Sequence, residues 1–188
     1  MGTSMSLHVE KKVGDKWVYV HAPGKPPQVA NRETPPIDWY GDIRYHSYDT
    51  MALLADVRNY DGIKPIARWR GMPAAASAEL LAAFDWCDTG AHWVTLAEIK
   101  AYDYDQLITK PSRWMSAEEL AKLGWNTAPF LDIVRRRGLH NEVPEGYTLQ
   151  SFPVRQFVDD FLDTFLPTVE NECSCAPADI RLVMWFDC

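Results

Sequence analysis

Apolar and polar positions along this chain change rhythm three times. Leu7 to Val13 and Trp17 to His21 flank Gly14-Asp15, where a glycine followed by an aspartate suits a type II′ turn, so the N-terminal stretch predicts a β-hairpin. Lys11, Lys12 and Lys16 are expected on its solvent side. Pro23 to Pro36 carries five prolines and no apolar periodicity, which reads as an extended surface loop able to fold over a site.

Helical spacing then takes over. Ser47 or Asp49 can cap a helix in which Met51, Leu54, Ala55 and Arg58 recur at three- and four-residue steps, with Asn59 to Gly62 as the stop. Ser77 opens a second helix with Leu80, Leu81 and Phe84 inward, and Thr95 with Glu98 makes a capping box for a third running toward Asp103. Further helices are predicted from Ser116 to Gly124 and from Thr127 to Arg137. Val154, Phe157, Val158, Phe161, Leu162 and Phe165 give the cleanest amphipathic pattern, with Pro167 as its expected end and Asp159, Asp160 and Asp163 facing water. The closing run from Ile180 to Phe186 is almost unbroken in apolar character, as in a strand covered on both faces. Together these elements predict an α+β fold: a single domain over residues 5–188, helices packed on a small mixed or antiparallel sheet with the last strand central. Met1 to Ser4, ahead of Met5, read as a cloning remnant.

Composition narrows the function classes. Hydrophobic residues make up 47% of the 188, enough for a real core, and the net charge of -7 argues against broad binding to duplex nucleic acid or to anionic lipid. No apolar run is long enough to span a bilayer, so a cytoplasmic protein with no membrane partner is expected. Cys87, Cys173, Cys175 and Cys188 lack zinc-site spacing, and the histidines form no ligand set, so neither metal nor cofactor is expected.

Against this acidic background one basic and aromatic stretch, residues 44–73, stands out. It interleaves Arg44, Arg58, Lys64, Arg68 and Arg70 with Tyr45, His46, Tyr48, Tyr60 and Trp69. Guanidinium groups bind phosphate oxygens in pairs, an ammonium acts as a point charge, and Tyr45, Tyr60 or Trp69 can stack on a base. The candidate ligand-binding set is therefore Arg44, Tyr45, His46, Arg58, Tyr60, Lys64, Arg68, Trp69 and Arg70. The bland account is that Arg58 and Arg70 pair with Asp49, Asp56 or Asp61 while the rings fill core. His46 with Asp49, and His92 with Asp88, are weak base-and-orienter pairs, and no nucleophile motif accompanies them. Tyr102-Asp103-Tyr104-Asp105, with the acids of the C-terminal part, suggests an acidic face that fits a partner protein or simply water.

Leu54 to Asn59, Lys64 to Ile66, Arg70 to Pro73, Trp93 to Leu96 and the closing Leu182 to Asp187 together resemble a family of small proteins common in bacteriophage and prophage genomes. The resemblance spans roughly residues 5–188 and carries over no catalytic or binding residue. It implies a setting: a virus-encoded, non-virion protein in the cytoplasm of an infected cell, meeting host metabolism or host defence. The first reading is then an accessory protein that sequesters a small phosphate-bearing nucleotide, such as a host immune second messenger, as a homo-oligomer. The alternatives are a host-protein inhibitor using an acidic face, and a small nucleotide hydrolase with His46 or His92 as base.

Overall fold

The computed structural model describes residues 4–23, 47–59, 61–84, 90–114 and 147–187. The fold is α+β. Strand β1 (Ser4–Val13) turns back into β2 (Lys16–Val20), and the strands β3 (His92–Thr95) and β6 (Ile180–Asp187) complete a four-stranded antiparallel sheet in the order β2-β1-β6-β3. The hairpin closes with Val13 opposite Lys16. Gly14 has a φ of 61° while Asp15 is not at positive φ, the II′ combination that only glycine adopts without strain. Strands β4 (Leu107–Trp114) and β5 (Tyr147–Pro153) form a separate antiparallel pair.

β6 lies between β1 and β3 and is buried from Ile180 to Phe186, as expected of a strand covered on both faces. One face, with Met5, Leu7, Val9, Leu182 and Met184, packs on helices α1 (Tyr48–Ala55), α3 (Leu96–Ala101) and α4 (Leu166–Cys173). The other face, with Tyr19, Val183 and Trp185, packs on α2 (Ala78–Phe84) through Leu80 and Ala83. The one charged residue in the apolar run, Arg181, belongs to this second face. Its guanidinium reaches Glu10 Oε2 through Nε at 2.8 Å and Nη2 at 2.7 Å, while Glu10 Oε1 accepts from the Ser77 amide at 2.7 Å. Arg181 Nη2 also donates to the Ala75 carbonyl at 3.0 Å, and the guanidinium lies 4.0 Å from the centre of the Trp17 ring. Both Glu10 oxygens and the Nε and Nη2 groups of Arg181 have partners, and the pair pins the segment ahead of α2 to the sheet.

The helices differ from expectation in instructive ways. In α1 it is Ser47, not Asp49, that accepts the Thr50 amide, at 3.3 Å. The helix ends at Asp56, in the left-handed region at φ 60°, so Arg58 falls outside it and is itself left-handed at φ 52°. Leu81 is not inward but 46% exposed: α2 turns its i, i+3, i+4 stripe of Leu80, Ala83 and Phe84 toward the sheet, and the next position round the helix faces away. Pro167 does not end the amphipathic helix. A 3-10 turn (Val154–Phe157) and a π segment (Phe161–Phe165) precede it, and α4 continues to Cys173 with the proline in its first turn. The Leu166 amide reaches back to the Phe161 carbonyl, and this wider turn fits the missing N–H and the ring of proline into a continuing helix. Lys12 and Lys16 face water, whereas Lys11 is half-buried and donates to the Cys173 carbonyl at 3.2 Å, at the C-terminal end of α4. The proline-rich loop and the helices predicted over 116–124 and 127–137 lie outside the described residues.

Candidate ligand site

The basic and aromatic stretch leaves α1 and is fixed to the fold at four points. Asn59 imitates a backbone unit: its Nδ2 donates to Asp56 Oδ1 and to the Ile63 carbonyl, both at 2.6 Å, and its Oδ1 accepts the Ile63 amide at 2.8 Å. Ile63 is thereby held in a small core with Leu53, Ile108, Val154 and Val158. The Ile66 amide then donates to the Leu53 carbonyl at 2.9 Å, and the Arg70 amide to His92 Nδ1 at 3.1 Å. Finally the Arg70 guanidinium closes on Glu98 with two bonds, Nη1 to Oε2 at 3.0 Å and Nη2 to Oε1 at 2.5 Å, while lying 4.6 Å from the centre of the Trp93 ring.

Glu98 is the joint of this assembly. It caps α3 reciprocally with Thr95, accepting from both the Thr95 amide and hydroxyl through Oε2 at 2.8 and 2.9 Å, and holds Arg70 as well. The Arg70 hydrogen bonds, with those of Thr95 and against the opposing effect of burial, bring the Glu98 carboxyl down to about 2; the same bonds raise Arg70. Its charge is constant across the physiological range.

Between this stretch and the C-terminal end of α3 lies an open cavity of about 410 Å³, lined by Lys64, Pro65 and Ile66 on one side and by Glu98, Ala101, Tyr102, Asp103 and Gln106 on the other. The Tyr102 hydroxyl donates to the Lys64 carbonyl at 2.5 Å, which joins the two sides. Gln106 Nε2 donates to the Tyr102 oxygen and, at 3.0 Å, to the Asp103 carbonyl, so the turn after α3 is rigid. Burial holds the Tyr102 phenol up at about 12, and it stays protonated.

The candidate residues from the sequence thus divide. Lys64 lines the cavity, and neither it nor the exposed Arg68 makes an ion pair among the described residues. Trp69 is 48% exposed, with its ring stacked on His92 at 5.2 Å. Arg70 is committed to Glu98 rather than to Asp49, Asp56 or Asp61. Arg58 is half-buried on the strained turn after α1. Arg44, Tyr45, His46 and Tyr60 lie outside the described residues. Glu98, Tyr102, Asp103 and Gln106 are the wall residues that local pattern does not place here. Glu98 reads as a cap and Tyr102-Asp103 as an acidic cluster until the chain is folded.

His92 is a packing residue in this arrangement. It is fully buried with Nδ1 accepting from the Arg70 amide, so the neutral ring carries its proton on Nε2, which closes no hydrogen bond among the described residues although the Leu54 backbone acts on the ring. Burial first, then the Arg70 charge, pull it down to about 4. On the acidic side, Asp163 accepts from Arg155 at 2.8 Å and Glu170 pairs with Lys100, while Asp159 and Asp160 are exposed. Among the described residues no group of three or more His, Cys, Asp or Glu side chains is placed to hold a metal, and no helix is long and apolar enough to cross a membrane. In comparison with known proteins, no family model, curated protein or solved structure matches the chain.

Proposed function

We propose that this protein binds a small phosphate-bearing nucleotide and holds it without turnover, with the cavity between Lys64 and Tyr102 as the seat. The observation that carries the reading is that cavity: its volume of about 410 Å³ lies within the range of small-molecule sites, and one wall is built from the basic stretch itself. The Lys64 ammonium supplies a point charge for a phosphate, and Pro65, Ile66 and the Tyr102 ring supply an apolar body for a base. Arg70 and Glu98 do not contact the ligand as a pair of free charges; they brace the wall.

The resemblance to bacteriophage proteins supplies the setting of the proposal: an accessory protein in the cytoplasm of an infected cell, acting as a homo-oligomer that removes a host signalling nucleotide from solution. The test is a thermal-shift panel of nucleoside monophosphates and cyclic dinucleotides, followed by recovery of the ligand after denaturation. A ligand at 100 times its Kd adds roughly 2.7 kcal/mol of stability. The expected result is a shift with the ligand recovered intact, and loss of that shift in Lys64→Ala. No shift with any nucleotide, or a cleaved ligand, overturns the reading.

A further inference from the structure

The hydrogen-bonding capacity left over in the cavity is unequal, and the inequality selects the ligand. Among the donors of the wall, the Tyr102 hydroxyl hydrogen is used by the Lys64 carbonyl, and both hydrogens of the Gln106 carboxamide are used, by the Tyr102 oxygen and the Asp103 carbonyl. Among the described side chains of the wall, the donor head that remains is the Lys64 ammonium. The acceptors are far less committed. Asp103 Oδ1 accepts the Asp105 amide at 3.1 Å, and Oδ2 has no hydrogen bond among the described residues. Gln106 Oε1 likewise has none, and Glu98 Oε1 accepts only from Arg70, because Thr95 binds Oε2.

We infer that the occupant is a nucleotide whose base carries an exocyclic amine, the amine meeting the spare acceptors of Asp103 and Gln106, and its phosphate meeting Lys64. This rests on the nucleotide-binding reading above and adds the class of base. A base that presents a carbonyl at the same position sets oxygen against oxygen, and among the described side chains of the wall no neutral donor is uncommitted to relieve it. Asp103 is then a specificity-determining residue. It is exposed and lies in the turn beyond α3, so its exchange leaves the core untouched.

Matched pairs isolate the amine. Calorimetric titration compares CMP with UMP, and AMP with IMP, on the wild type and on Asp103→Asn, which keeps one oxygen for the Asp105 amide and turns the other acceptor into a donor. The expected result is a preference of at least roughly tenfold for CMP over UMP and for AMP over IMP, falling toward unity in Asp103→Asn. Equal affinities within each pair, or a preference that Asp103→Asn leaves unchanged, overturn the inference while the nucleotide reading stands. Absence of binding by all of these monophosphates and by cyclic dinucleotides overturns both.

Discussion

The carboxylate of Glu10 and the guanidinium of Arg181 meet inside the fold on adjacent strands, their side chains 0% and 4% exposed, and each is supported by a backbone group of the segment that leads into α2. Such a pair is costly to break from one side, because the survivor is left as an unpaired buried charge. Arg181→Met or Glu10→Gln alone is expected to lower stability by about 3–5 kcal/mol, and the double replacement Glu10→Leu/Arg181→Met to cost less than the sum of the single changes. Urea unfolding of the three variants checks this.

Glu98 gives an acid-dependent contribution of known sign. Its carboxyl is held below its unfolded value of 4.5, at about 2, so the stabilisation is fully present above about pH 4.5 and is lost as pH falls toward 2. Because the Arg70 and Glu98 side chains are 29% and 36% exposed, the Arg70 pair contributes about 1 kcal/mol or less. Stability curves of wild type and Glu98→Gln are expected to converge as pH drops through this window, and to stay parallel above it.

The buried histidines act earlier on the same descent. Burial holds His8 at about 3 and His92 at about 4, both below the ordinary 6.5. The unfolded chain therefore binds more protons than the folded one as pH falls below 6.5, and stability declines with a slope of up to about 1.4 kcal/mol per pH unit for each ring. A proton-uptake measurement on unfolding between pH 6 and pH 5 is expected to approach one proton for each of these two residues, and to drop by one in His92→Phe.

Asn59 links stability to the ligand site. Asn59→Ala removes three hydrogen bonds at the mouth of the stretch and leaves the Ile63 amide and carbonyl without their side-chain partners. The expected loss is about 1–3 kcal/mol by chemical denaturation. Weaker nucleotide binding should accompany it, since Lys64 follows directly on the released segment.

Local chemistry made much of this fold legible in the sequence. The Gly14-Asp15 turn, the Thr95 and Glu98 capping box and the covered strand from Ile180 to Phe186 are each dictated by neighbouring residues, and each is present. What was not legible depends on distant partners. Arg181 sits in an apolar run because Glu10, far away in the chain, answers it, and Arg70 passes over the nearby aspartates for Glu98. Pro167 reads as a stop because proline breaks an α-helix, yet a π turn ahead of it absorbs the ring. The site was half legible for the same reason. Of residues 44–73, Lys64 lines the cavity, but no spacing rule brings Tyr102 and Gln106 across to face it.

The placement of β6 between β1 and β3 also sets an order of events. β1 and β3 do not pair with each other, so the sheet has no middle until the last described strand arrives and finds contacts some 170 positions back along the chain, as the Glu10 to Arg181 separation of 171 records. Closing so long a loop before the β1-β2 hairpin and β3 can be joined slows assembly. A nascent copy still lacking β6 would display the open edge of the β1-β2 hairpin and an unpaired β3 to whatever binds sticky edges.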